Sequence, residues 1–211
     1  MIGKFVTFEG IDGSGKTTQI DLLETALKQR GISTSILREP GGTRLSEKIR
    51  DILLDRKNMH LSASAESLLF VAARAQLVEE KIKPALERDK FVICDRFADS
   101  TVAYQGYGRG MNVEYLEELN KFATDNMQPD ITIILDVDPE KAVLRMRHDV
   151  PDRMESTGRD FFYKVREGYC KIALQYPQRC VIIDGAHSKS EVFKSIMEVV
   201  NNKLLKEMSC G

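Results

Sequence analysis

Apolar positions along this chain fall into two rhythms. Short runs rich in β-branched, aromatic and aliphatic residues predict strands over 5–9, 34–38, 91–95, 131–137 and 180–184. Between them, apolar residues recur every three to four positions and predict helices near 17–30, 44–54, 64–88, 113–124, 139–147, 159–175 and 191–206. In the first helix Ile20, Leu23 and Leu27 share one face. Start and stop signals agree with this division. Asp138 followed by Pro139 supplies an N-cap and a first-turn proline. Ser188 and Glu191 have the spacing of a capping box. Pro151 disfavours helix before it and should end the helix that begins at Pro139. Strands that alternate with helices imply an α/β fold with a parallel sheet. Ligands of such sheets sit at the carboxyl ends of the strands. Glu9, Arg38 and Asp95 end three strands, so their neighbours should line one crevice. No repeat, low-complexity tract or linker divides the chain, and residues 1–211 are read as one domain.

The turn between the first strand and the first helix reads Gly10, Ile11, Asp12, Gly13, Ser14, Gly15, Lys16, Thr17. It fits G-x-x-x-x-G-K-[ST] in the strand–turn–helix setting that gives the pattern meaning. The glycines let successive backbone N–H groups converge on an anion, and the helix N-terminus adds partial positive charge. Lys16 can reach terminal phosphates, and Thr17 offers a hydroxyl to Mg²⁺. The expectation is a nucleoside triphosphate bound with magnesium. Motors, switches and kinases all carry this loop, so it does not choose among them.

Bulk properties narrow the classes. Among 211 residues the charges nearly cancel, at −1, so no basic face argues for a nucleic-acid polymer or a membrane surface. The apolar run 68–73 is far short of a membrane span, and the N-terminus enters a strand directly instead of a secretory leader. Cys94, Cys170, Cys180 and Cys210 are scattered without C-x-x-C spacing and read as reduced thiols of a cytoplasmic protein. His60, His148 and His187 have no partner at metal-ligand spacing and read as surface residues.

Four further clusters are polar or Gly-rich where a core would not need them. Arg38, Glu39, Pro40, Gly41 and Gly42 close the second strand. Phe70 and Arg74 are four apart on a helix, share a face and can act on one ligand. Asp95, followed by Arg96 and Phe97, ends an apolar strand where an acid can hold Mg²⁺ through water. Ser100, Tyr104, Gln105, Gly108, Arg109 and Gly110 lie in the run that follows. With the later Asp152, Arg153 and Glu155 (D-R-x-E), these motifs resemble thymidylate kinase of the bacterial type over almost the whole chain, from Phe5 to about Ser188.

That resemblance implies a P-loop nucleoside-monophosphate-kinase fold with a five-stranded parallel sheet flanked by helices. It also implies a homodimer, and transfer of the γ-phosphoryl of ATP to dTMP, giving dTDP and ADP. Phosphoryl transfer asks a protein chiefly to align two phosphates and neutralise their charge. Lys16 serves the donor side, and Arg38 and Arg96 are the cations for an acceptor phosphate. By resemblance, Phe70 stacks on thymine, Arg74 bonds its carbonyl edge, and Ser100 and Gln105 complete the base pocket. Tyr104 crowds the sugar 2′ position, and Asp12 sits beside the acceptor sugar and phosphate. A lid is expected at about 145–157, where Arg145, Arg147, Arg153 and Arg159 cluster near Pro151. Between Gly10 and Lys16 the loop has an acid and no arginine, so Arg153 is the candidate for the cation that reaches the transferred group. Of the other lid arginines, solvation is the default reading. Glu39 is expected to hold Arg96 or another arginine. Tyr107, Tyr115, Tyr163 and Tyr169 are read as packing. The alternatives are a kinase of another deoxynucleotide or of a deoxynucleoside. A GTP-driven switch is disfavoured because Asn120-Lys121 lacks the aspartate of N-K-x-D.

Overall fold

In this computed structural model the described residues are 3–146, 153–154 and 158–205. Five strands, β1 (Lys4–Glu9), β2 (Thr34–Arg38), β3 (Phe91–Asp95), β4 (Ile131–Asp136) and β5 (Cys180–Asp184), form one sheet in the order β2-β3-β1-β4-β5. Every pairing is parallel. The register sets Phe8 and Arg38 beside Asp95 on its two sides, and Glu9 beside Ile134. Glu9, Arg38 and Asp95 therefore stand together at the carboxyl edge, as the strand ends implied.

Alternation along the strands feeds two apolar layers. Val6, Phe8, Ile93, Ile133 and Leu135 face helices α1 (Lys16–Gln29) and α9, which spans Lys189–Val200. Ile20, Leu23 and Leu27 come from α1, and Val192, Ile196 and Val200 from α9. On the opposite face Phe5, Val92 and Cys94 pack against Leu77, Val78 and Ile82 of the long helical segment. Ile134 packs there with Val165, Tyr169 and Ile172 of α8, which spans Arg159–Gln175. Burial pushes the Cys94 thiol up, as suits a core residue rather than a nucleophile.

The remaining helices are α2 (Arg44–Leu54), α3 (Ala63–Leu77), α4 (Lys83–Glu87), α5 (Ala98–Thr101), α6 (Val113–Thr124) and α7 (Pro139–Arg145). The helix expected over 64–88 is α3 and α4 joined by a wide π turn, Val78–Ile82. Pro84 lacks an N–H and crowds the preceding turn, and the widened turn accommodates it. A second π turn, Val102–Gly108, follows α5, where no helix is expected from the sequence. It packs closely on α8. A Cβ at Gly168 would lie 2.7 Å from the Tyr107 ring, and one at Gly108 would lie 2.6 Å from Phe161. The capping box at Ser188 and Glu191 is formed, and α9 starts at Lys189, two residues earlier than expected.

Candidate active site

The loop from β1 to α1 is shaped by Gly10, Gly13 and Gly15, with φ of 133°, 76° and 95°. A Cβ on Gly10 would lie 2.6 Å from the Leu135 carbonyl oxygen, so a side chain is excluded there twice over. No side chain caps the N-terminus of α1 and its first turn holds no acid, which leaves its N–H groups and dipole for an anion. Lys16 Nζ donates to the carbonyl oxygens of Gly10 and Ile11, both at 3.1 Å. Burial and then Arg96 lower its pKa. A cavity of about 430 Å³ opens over this loop, and its walls include Asp12, Lys16, Thr17, Arg38, Asp95 and Arg96.

Arg96 links this cavity to a second one. It follows β3 with φ 68°, a left-handed conformation uncommon for a residue with a side chain and often found at working sites. Its Nη2 donates to Asp12 Oδ1 at 2.7 Å and to Tyr104 Oη at 3.0 Å. Its Nη1 donates to the Gly10 carbonyl at 3.0 Å and reaches Ser100 Oγ and Tyr169 Oη at 3.3 Å. The guanidinium also lies 4.9 Å from the Tyr104 ring centre. Burial in the cleft works against ionisation of Asp12, but Arg96 and Lys16 outweigh it and hold its pKa at about 2.

Glu9 stands behind Arg96. Its carboxyl accepts from the Phe97 N–H at 2.7 Å, Ser100 Oγ at 2.5 Å and Tyr169 Oη at 2.9 Å. Burial, followed by the Asp99 carboxylate, pushes its pKa to about 7 despite these bonds. The packing role expected of Tyr169 is thus incomplete. It is 2% exposed, yet its hydroxyl belongs to this polar network. No local pattern marks it, because its partners come from β1, β3 and α5.

The second cavity, about 90 Å³, is bounded by Phe70, Ser100, Tyr104, Gln105 and Met154. Asp12, Glu39, Arg50 and Arg96 belong to both cavities, so the two form one cleft. Arg74 departs from expectation. It is 1% exposed and does not line the cavity. Its Nε and Nη2 meet Glu39, Nη1 meets Thr101 and Asn120, and Nη2 also meets the Phe97 carbonyl. Each nitrogen is engaged within the protein, and in this arrangement Arg74 braces the wall of the cavity. The arginine that Glu39 holds is thus Arg74. Arg38 lines the phosphate cavity, with its guanidinium paired to Glu47 at 3.0 Å. Arg50, which sequence reasoning passed over, donates to the Pro40 carbonyl at 2.9 Å.

Arg153 stands apart from the other expected site residues. It is 3% exposed and lines neither cavity. Its Nη1 is paired with Glu66 at 2.7 Å, its Nε donates to the Leu53 carbonyl at 2.6 Å, and its N–H bonds the Leu54 carbonyl. In this arrangement Arg153 is tied to the end of α2 and to α3. Arg145, by default a solvated residue, instead lines the phosphate cavity and donates to the Gly185 carbonyl at 3.0 Å. Arg159 pairs loosely with Glu140 at 3.6 Å on the surface, as the solvated reading expects. Arg147, His148, Pro151, Asp152, Glu155 and Cys210 lie outside the described residues.

Known proteins resemble this chain over most of its length. A family model described as thymidylate kinase matches residues 8–196. The chain is 50% identical over 204 residues to a thymidylate kinase of Thermoanaerobacter sp. (strain X514), covering 97% of this chain and 100% of that protein. It is 48% identical over 204 residues to one from Caldanaerobacter subterraneus subsp. tengcongensis, covering 97% and 98%. A crystal structure of thymidylate kinase from Ehrlichia chaffeensis superposes with a TM-score of 0.76 at 40% identity, covering 94% of this chain and 98% of that one.

Proposed function

This chain belongs to the thymidylate kinase family, and on that premise we propose how its cleft moves the γ-phosphoryl of ATP to dTMP, giving dTDP and ADP. The observation that carries the reading is the wall shared by the two cavities, where Asp12 and Arg96 stand between the glycine loop and the pocket of Phe70. A donor phosphate on one side and an acceptor phosphate on the other would meet there.

The first-turn N–H groups of α1 and Lys16 hold the donor phosphates. Magnesium suits the residues beside them. Asp95 Oδ1 is buried with no hydrogen-bond partner among the described residues, and Asp95 lines the same cavity as Thr17. When bound, the ion neutralises charge on the transferring phosphates. Arg96 and Arg38 take the acceptor phosphate, and Asp12, fixed by Arg96, takes the sugar hydroxyl. Phe70 stacks on the base, and Ser100 and Gln105 shape its pocket. Tyr104, held by Arg96, crowds the sugar 2′ position and favours deoxyribose. Arg74 serves the pocket through its wall. An incoming phosphate oxygen is already largely deprotonated near neutral pH, so the site needs no general base.

The reading extends to a homodimer and to the cytoplasm. No described helix is long and apolar enough to cross a membrane. Helices α2, α3 and α6 pack side by side and carry Leu45, Ile52, Leu68, Tyr115 and Phe122 exposed, an apolar surface that a second copy would cover.

A coupled ADP-release assay over dTMP, dUMP, AMP, CMP and thymidine tests the assignment. Fastest turnover is expected on dTMP; faster turnover on thymidine or another monophosphate would reject it.

A further inference from the structure

Glu66 lies on α3 behind the acceptor cavity and is 1% exposed. Its carboxylate meets two guanidiniums, Arg153 Nη1 at 2.7 Å and Arg109 Nη2 at 3.2 Å. Both arginines are themselves pinned. Arg153 Nε is bonded to the Leu53 carbonyl, and Arg109 lies over the Phe161 ring with 4.9 Å to its centre. The carboxylate is thus gripped from two sides. Among the described residues its remaining partner is Gln105 Nε2, which donates to Oε1 at 2.8 Å.

A carboxylate between two guanidiniums accepts and has no proton to give. The Gln105 amide can therefore turn only its NH₂ towards Glu66. The reverse orientation would set two acceptors face to face at hydrogen-bond distance, inside a site where unpaired polar groups are costly. Gln105 also lines the acceptor cavity. With its nitrogen committed behind, the group it offers to a ligand is its carbonyl oxygen.

We propose that Glu66 is a specificity-determining positioning residue: by fixing the Gln105 amide it makes the pocket present an acceptor, and so selects a pyrimidine whose ring nitrogen 3 carries hydrogen. The inference rests on the thymidylate reading above and names a residue that acts on its substrate choice without touching the base. Thymine and uracil carry N3–H between two carbonyls. Cytosine has a bare N3 acceptor beside its amino group and would face the Gln105 oxygen acceptor to acceptor. The edge read in this way is identical in thymine and uracil, so Glu66 has no part in sensing the 5-methyl group.

The test measures kcat/KM for dTMP, dUMP and dCMP at saturating ATP in the wild type, Glu66→Gln and Glu66→Asp. In Glu66→Gln the new amide can donate or accept, and Gln105 is free to turn. The preference for dTMP over dCMP should fall about tenfold or more, while the ratio of dTMP to dUMP and the KM for ATP stay at wild-type values. Glu66→Asp keeps the carboxylate and should restore most of the preference. An unmoved dTMP:dCMP ratio in a folded Glu66→Gln protein, or equal changes in both ratios, overturns the proposal. A second measurement needs no variant: N3-methyl-dTMP should bind the wild type at least about tenfold more weakly than dTMP, and equal binding overturns the proposal. A wild type that prefers dCMP overturns the thymidylate reading and this inference together, whereas a wild type that prefers dTMP, with a ratio insensitive to Glu66→Gln, rejects the role of Glu66 alone.

Discussion

The donor cradle and the acceptor pocket meet at Arg96 but are built on opposite principles. The cradle is eight consecutive residues whose working groups are largely backbone: positive-φ glycines and the uncapped start of α1. Its one long side chain, Lys16, rests on carbonyl oxygens of its own loop. The pocket is drawn from Asp12 of the glycine loop, the β2–α2 connection, α2, α3, Arg96 after β3, the α5 region and residue 154, and many of its wall side chains are paired with one another. Glu66 grips Arg109, Arg153 and Gln105; Arg74 grips Glu39, Thr101 and Asn120. A site made of backbone needs a local conformation, whereas a site made of buried ion pairs needs the whole fold to be correct. Damage to the cradle should therefore appear as lost chemistry, and damage to the pocket walls as lost stability together with altered substrate choice.

The sharpest test of this contrast is Lys16→Met. It should lower kcat about 10³-fold and leave the melting temperature close to wild type, as a coupled assay and calorimetry would read. A marked loss of stability would break the contrast. Arg153→Met should do the reverse, costing about 3 kcal/mol of folding free energy because Glu66 loses one of its two cations in a buried site, with a smaller effect on turnover. Chemical denaturation alongside kinetics decides it. A thousandfold loss of kcat at unchanged stability would mean instead that Arg153 leaves Glu66 and reaches the transferred group.

Arg96 stands between the two regions, and Arg96→Met should show both signatures. The expected loss in kcat/KM for dTMP is about 10²-fold, with the KM for ATP nearly unchanged and a modest fall in melting temperature. Equal losses for both substrates would place Arg96 with the cradle alone.

The smallest effect is on pH dependence. The pKa of Glu9 is about 7 in the folded protein against an ordinary 4.5, so the folded state retains a proton that the unfolded state has lost between those values. Its contribution is fully present below about 4.5 and falls as pH rises towards 7. Asp12 has the opposite sign. At about 2 against 3.8, its contribution is present above 3.8 and is lost as pH falls towards 2. Denaturation midpoints across pH should decline from 4.5 to 7 in the wild type and flatten over that window in Glu9→Gln, whereas Asp12→Asn should flatten only the acid limb.

Much of this molecule was legible before any coordinates. The five strands stand where the apolar runs predict them, apart from one residue at the start of β1 and one at the end of β4, and the glycine loop has the predicted setting. Other features depend on information that is not local. The long helix breaks into a π turn near Pro84, and the run from Val102 to Gly108 coils because α8 packs against it. Motif spacing drew attention to Arg153 and Arg74 as ligand contacts. The same motif residues are buried, with partners that no spacing reveals: Glu66 for one, Glu39 and Asn120 for the other. No motif marks Arg50, Arg145 or Tyr169, because each gains its meaning only from residues outside its own element.

Strand and helix order, the parallel sheet and the phosphate cradle are encoded locally in the residues. Each follows from the periodicity of neighbouring residues or from the backbone freedom of glycine. The tertiary structure alone decided which arginines face the cleft and which are tied behind it. A guanidinium goes where its desolvation is best repaid by acceptors, and those acceptors arrive from elements far apart in the chain.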